Sequence, residues 1–215
     1  MDVSGYGNHV TNIAGSISVE RPVGAPAYIR GNTAVWLKFP DGILPSADYT
    51  LFFIARYDGG SKGRIFQGLS SNWMSGFWQR KAGVAYHGDA CGWITGDQSV
   101  PDFNRPDVHG FDWVMGTDRS NSFRSNGVDR TTNSVCASFD RLAINTGPNA
   151  EPSNWAIQSI LIYSRKLADA EVLRVEAWLA AQQPSFTPAN LQARAQFEVI
   201  FNFFVVARNH HESHL

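Results

Sequence analysis

The chain has 215 residues, with 18 Lys and Arg against 19 Asp and Glu for a formal net charge of −1, and its composition is 43% hydrophobic, 13% aromatic and 17% charged. That is a folded globule long enough for one β-sandwich with a full core, which excludes a disordered segment. A nearly neutral surface excludes an electrostatic case for nucleic acid as a partner, and without a run of about 18 apolar residues no helix spans a membrane.

In chain order, the first residues, Met1 to Val10, lack the basic start and apolar centre of a secretory signal. Ala34 to Phe39 reads as a strand stopped by Pro40-Asp41-Gly42. Tyr49 to Tyr57 is a strand of almost pure β-formers, apolar on both faces, which places it at the centre of a sheet. Arg64 to Leu69 follows the Gly-rich turn at 59–63 as the next strand of a hairpin. Phe77 to Arg80 and Val84 to His87 read as two short strands around a Lys-Ala-Gly turn. Asp112 to Asp118 and Phe123 to Val128 form a further hairpin, in which Asn126-Gly127 has tight-turn chemistry. Arg141 to Asn145 and Trp155 to Tyr163 complete the strands. Turn signals recur roughly every 8–12 residues, which indicates an antiparallel sandwich or barrel.

One amphipathic helix follows, from Asp169 to about Ala181, with Val172, Val175 and Leu179 at helical spacing. Leu167 and Val172 are placed as a hydrophobic staple, with Glu171 at the third helical position, but the cap residue is Ala168, which has no side-chain oxygen. Cys91 and Cys136 form no CxxC pair, so a thiolate zinc site is not expected. They are either one disulfide closing a loop or two unrelated small core residues. After Pro184 the character changes: Phe197 to Val206 is nearly all apolar and is followed by RNHHESHL. This tail, residues 184–215, is too short in apolar length to span a bilayer. Four roles stay open for it: an edge strand, a partner-docking segment, a helix at a membrane surface, or no evolved role.

Asp2-Val3-Ser4-Gly5-Tyr6-Gly7-Asn8-His9, the strand Tyr49 to Tyr57, the hairpin Asp112 to Val128 and the closing strand and helix Ile157 to Val172 occur in an order that resembles the laminin-G-like (concanavalin-A-like, pentraxin-related) jelly rolls. The resemblance covers about residues 2–182. It implies an all-β fold: an antiparallel β-sandwich of two sheets with one C-terminal amphipathic helix, in a domain spanning residues 1–183. The family has a strand just before the Asp-x-Ser-Gly segment, so this sequence reads as a piece of a larger protein. The resemblance also implies an extracellular or cell-surface setting, a glycan or another extracellular protein as partner, and Ca²⁺ at a sheet rim. Asp2 and Asn8 are the candidate calcium ligands; the alternative is a loop tied by Asp and Asn side chains.

Chemistry narrows the function. Glycanases of this fold need alternating carboxylates on one strand, and no two of the six glutamates have that spacing. No G-x-S-x-G elbow or phosphate loop is present, so an enzyme is not expected. His87 and His109 read first as ordinary hydrogen-bonded histidines. The binding candidate is Asn72 to Trp93, where Asn72, Trp73, Trp78, Tyr86, His87, Asp89 and Trp93 mix aromatic and polar groups. Sugars present apolar C–H faces beside hydroxyls and match such a surface. The competing reading is that alternate aromatics fill the core. Trp73, Tyr86 and Trp93 border turns and are expected at the surface, with Arg124 adding a polar contact. Three functions follow in order: a non-catalytic glycan-binding or adhesion module, a structural protein–protein module, and a glycoside hydrolase.

Overall fold

The computed structural model describes residues 2, 4–44, 48–96, 113–134, 136, 140–149, 151–182 and 205–207. Fourteen strands and two helices occur in the order β1 Asn12–Ala14, β2 Ser18–Glu20, β3 Tyr28–Gly31, β4 Trp36–Lys38, β5 Thr50–Tyr57, β6 Phe66–Gly68, β7 Trp73–Trp78, β8 Lys81–His87, α1 Gly88–Cys91, β9 Val114–Asp118, β10 Phe123–Ser125, β11 Val128–Asp129, β12 Leu142–Ile144, β13 Trp155–Tyr163, α2 Asp169–Ala181 and β14 Val205–Ala207. They build two sheets. The first has the order β1-β4-β12-β6-β7-β8; the second has β11-β10-β9-β5-β13-β3-β2, with β14 beside β13.

The all-β sandwich with a C-terminal helix expected from the sequence is the observed architecture. β5 lies between β9 and β13, at the sheet centre, because both its faces are covered. Leu51, Phe53, Ala55 and Tyr57 enter the core between the sheets. Phe52 and Ile54 face the other way and pack with Leu167, Val172 and Leu179 of the α2 segment. β13 obeys the same logic with one correction in register. Trp155 and Ile157 point inward, then a bulge before Ser159 shifts the parity so that Ile160 and Ile162 point inward too.

Phe53 is the centre of the core, its ring 4.3 Å from Phe66 and 6.0 Å from Phe77. Gly116 sits beneath it, and an added methyl there would come within 2.0 Å of the Phe53 ring. Gly116→Ala is therefore expected to destabilise the fold by about 1–3 kcal/mol through overpacking, read as a lower midpoint in urea.

Two expectations about strand connection are corrected. Tyr49 to Tyr57 and Arg64 to Leu69 are not a hairpin, since β5 belongs to the second sheet and β6 to the first. The turn after β7 is at Gln79-Arg80 and not at Lys81-Ala82-Gly83. Gly83, with φ of 80°, instead sits where the β7–β8 register shifts. The tail contributes β14, which pairs in parallel with Leu161, Ile162 and Tyr163. Residues 197–204 lie outside the described residues, as do His109, His210, His211 and His214.

The start of α2 follows its sequence. Ala168 offers no side-chain cap, while the Glu171 carboxylate accepts the Ala168 N–H at 2.9 Å and pairs with Arg165. Arg165 and the Ala168 N–H hold the Glu171 carboxyl down at about 2. Ala168→Ser supplies the missing acceptor and is expected to stabilise the protein by about 1 kcal/mol, seen as a higher melting temperature.

Candidate functional site

The β7–β8 hairpin turns through Gln79 and Arg80, both with positive φ, 43° and 70°. That is the mirror-type turn whose twist suits a two-residue hairpin, and Asn and Gly are the residues that adopt it without strain. Here two long side chains occupy it instead, and strained backbone of this kind clusters at functional sites. Strand alternation then sorts the aromatics. Trp73 and Phe77 point into the core, while Met74 and Trp78, each the next residue along, take the outer face of the first sheet. On β8, Tyr86 takes that same face opposite Met74, and Lys81 lies opposite Trp78.

α1 reverses the chain immediately after β8, and Trp93 returns to pair with Tyr86. The result is a nest of three half-buried rings. Trp93 lies 5.0 Å from Trp78 with planes 59° apart, and 5.2 Å from Tyr86 with planes 72° apart. The Lys81 ammonium sits 4.8 Å over the Trp78 ring. A disulfide between Cys91 and Cys136, with Cα atoms 5.2 Å apart, anchors the turn that carries Trp93. Of the two readings of these cysteines, the structure shows the bonded one.

A polar rim borders the nest. Asp89 Oδ1 accepts both the Tyr86 hydroxyl at 2.9 Å and the Asn72 amide at 3.1 Å. Removal from water, and then the Asp89 carboxylate, raises the Tyr86 hydroxyl above its ordinary range. Asn72 Oδ1 in turn accepts from Arg64 at 2.6 Å and Asn149 at 2.7 Å. Glu151 accepts the Trp78 indole N–H at 3.2 Å and the Gln79 amide at 3.4 Å, and pairs with Arg64. Every ring and every rim group is thus held by a second group, which is what a preorganised binding surface requires.

Five of the expected site residues come together here: Asn72, Trp78, Tyr86, Asp89 and Trp93. Three do not. Trp73 is fully buried at 0% exposure, because it shares its strand face with Phe77. His87 is also 0% exposed. It is neither a surface histidine nor a ligand contact, since its parity on β8 turns it inward. It stacks on Trp73, its Nδ1 faces the Ser120 carbonyl and its Nε2 lies 2.9 Å from the Asp118 carboxyl. Arg124 lies on the second sheet and is spent on the buried Glu176 of α2, at 2.9 and 3.1 Å. Burial opposes its charge, but Glu176 outweighs it and raises the guanidinium further above its ordinary range. Asn126 serves the tight turn, with φ of 49° and its Oδ1 accepting the Met115 N–H at 2.9 Å.

Sequence reading missed Lys81, Arg64, Asn149 and Glu151. Lys81 was legible, because a two-residue turn at 79–80 puts it directly opposite Trp78. The other three carry no local signal; Glu151 arrives from a loop 73 residues after Trp78.

Asp2 and Asn8 meet in one loop. The Asp2 carboxylate accepts the N–H of Ser4 and of Asn8, each at 2.8 Å. Burial works against its charge, but those bonds and the nearby His9 hold the carboxyl below its ordinary range. Calcium takes six to eight oxygens, and among the described residues no group of three or more His, Cys, Asp or Glu converges to hold a metal. Asp2 offers a single carboxylate, already turned onto two amide protons.

No protein-family model matches the sequence, and no curated protein matches it. Solved structures do. Domain 4 of AbnA, a GH43 extracellular arabinanase from Geobacillus stearothermophilus, in complex with arabinotriose, aligns with a TM-score of 0.52 at 14% identity, over 77% of this chain and 83% of that one. Botulinum neurotoxin type C, whose cell entry depends on interaction with two ganglioside molecules, aligns with a TM-score of 0.52 at 15% identity, over 82% of this chain and 48% of that one. The binding domain of botulinum neurotoxin serotype D aligns with a TM-score of 0.50 at 13% identity, over 83% of this chain and 48% of that one. This chain therefore spans about half the length of the two neurotoxin chains. The likeness shows the fold, an antiparallel jelly-roll sandwich.

Proposed function

We propose that the protein is a non-catalytic glycan-binding module with the Trp78–Trp93–Tyr86 nest as its binding surface. The observation that carries this reading is the nest itself: three partly exposed rings beside an amide and a carboxylate fixed to each other. Rings meet the C–H face of a sugar, and the Asn72–Asp89 pair offers a donor and an acceptor to neighbouring hydroxyls. The neighbours support it, one being seen with arabinotriose and one engaging gangliosides. Glu151, paired with Arg64, is placed to position Trp78 and not to transfer protons. A disulfide and the extracellular neighbours favour a secreted or cell-surface setting, and no helix among the described residues is long and apolar enough to cross a membrane. Membership of the laminin-G-like family belongs to this same proposal.

Trp93→Ala is expected to weaken glycan binding tenfold or more, equivalent to about 1.4 kcal/mol, with the melting temperature held near wild type. Fluorescence titration with a glycan that binds the wild-type protein measures it. Unchanged affinity in Trp93→Ala and in Trp78→Ala would sink the assignment of the site. A second reading, a protein–protein module, is favoured by the exposed apolar side chains of Ile13, Val19 and Val23 near one edge of the sandwich; a glycan-silent protein that self-associates would point there.

A further inference from the structure

The outer face of the first sheet carries one row of paired residues across five of its six strands: Lys38, Ala143, Gln67, Met74 and Tyr86, extended by Trp93. At about 4.8 Å per strand, Lys38 and Tyr86 stand roughly 19 Å apart. Each end of the row has aromatic character, Trp36 under Lys38 at one end and the three-ring nest at the other. Such a row is the natural track for a linear polysaccharide lying across a sheet. Its middle is closed. Ala143 is 0% exposed, and Gln67 and Met74 are 1% exposed, although all three face away from the core. The loop after β12 folds over this ground, with Gly147 close against Gln67 and the Gly68 carbonyl.

The nest is also compact. Trp78 and Tyr86 both lean on the same Trp93 ring, at 5.0 and 5.2 Å, so the three rings form one platform and not a file of successive platforms. The hairpin turn at Gln79-Arg80 bounds it on one side and α1 on the other. Asp89 Oδ1 already holds two donors, while Oδ2 has no partner among the described residues. One carboxylate oxygen and the second N–H of Asn72 suffice for two adjacent hydroxyls of one sugar ring.

Resting on the glycan-binding reading above, we propose that the site takes a single neutral sugar ring at a chain end or branch and does not bind the interior of a linear chain. The Asp89 carboxylate at the rim disfavours an anionic ring and the Lys81 ammonium over Trp78 disfavours a cationic one, which leaves a neutral sugar.

The test is calorimetry on the full chain with the methyl glycosides of arabinose, galactose, glucose, mannose and N-acetylglucosamine, each beside its own linear trisaccharide. For any sugar that binds, the two Kd values are expected to agree within about threefold, because the added rings meet no further platform. Trp36→Ala is expected to leave both values unchanged, and Trp36→Phe replaces it if the alanine variant fails to fold. A trisaccharide bound tenfold or more tightly than its methyl glycoside, or weakened binding in the Trp36 variant, overturns the single-ring proposal while leaving glycan binding intact. No binding by any member of the panel overturns the neutral single-ring proposal and leaves the wider glycan reading to an array that also carries charged glycans.

Discussion

Asp118→Ala is expected to cost about 3–5 kcal/mol, enough to unfold a domain of ordinary stability at 37 °C. Asp118 is fully buried between the sheets and meets four hydrogen-bonding partners. Tyr49 donates its hydroxyl at 2.9 Å, Ser75 its hydroxyl at 2.7 Å and Ser120 its backbone N–H at 3.1 Å, and His87 Nε2 lies 2.9 Å away. Ser75 and His87 belong to the first sheet and Asp118 to the second, so the carboxylate ties the two layers together. Burial and then the Asp118 charge push the Tyr49 hydroxyl well above its ordinary range, so it stays a donor throughout the accessible pH range. Alanine strands all four partners in the core, where each unmade bond costs about 1–3 kcal/mol. Asp118→Asn keeps an acceptor oxygen and is expected to lose less. Urea denaturation of the two variants checks the order, and an alanine variant as stable as wild type would show that the network contributes nothing.

Removal of the disulfide is the second large effect. Cys91 and Cys136 close a loop of 45 residues, and the chain-entropy model assigns such a loop about 4 kcal/mol. Cys91 ends α1, two residues before Trp93 and two after Asp89. The double variant Cys91→Ser/Cys136→Ser is therefore expected to lose stability and glycan affinity together, since freeing α1 frees both sides of the nest. Parallel melting and binding measurements in the presence and absence of reductant check this. Binding unaffected by reduction of a still-folded sample would detach the disulfide from the site.

The parts of the molecule that were legible from sequence are those with strong periodicity. Tyr49 to Tyr57 announced a central strand because both faces are apolar, and Asp169 to Ala181 announced a helix through Val172 and Leu179. β1, β2 and β3 were not legible. The first two are three residues long with mostly exposed side chains, and β3 follows the Pro- and Gly-rich stretch at 21–27, whose turn signals mask it. The switch of the chain from the second sheet at β5 to the first at β6 is a tertiary choice with no local trace. At the candidate site, the sequence gathered the aromatics into one segment but left their faces open. Placing the β-turn at 81–83 left the parity of Trp73, Trp78 and His87 open, and the strained pair Gln79-Arg80 carries none of the Asn or Gly that advertise a tight turn. Glu151 and Asn149 reach the rim through the sandwich topology, which no spacing rule encodes.

A glycan array probed with the purified full chain, once with calcium and once with chelator, alongside Trp93→Ala, tests the central claim most directly. Binding to a defined set of glycans, retained in chelator and lost in Trp93→Ala, is the predicted result. Binding lost in chelator would instead bring an ion into the site and return attention to Asp2. A well-folded protein that binds no glycan in either condition would contradict the account and leave the sandwich as a protein–protein module.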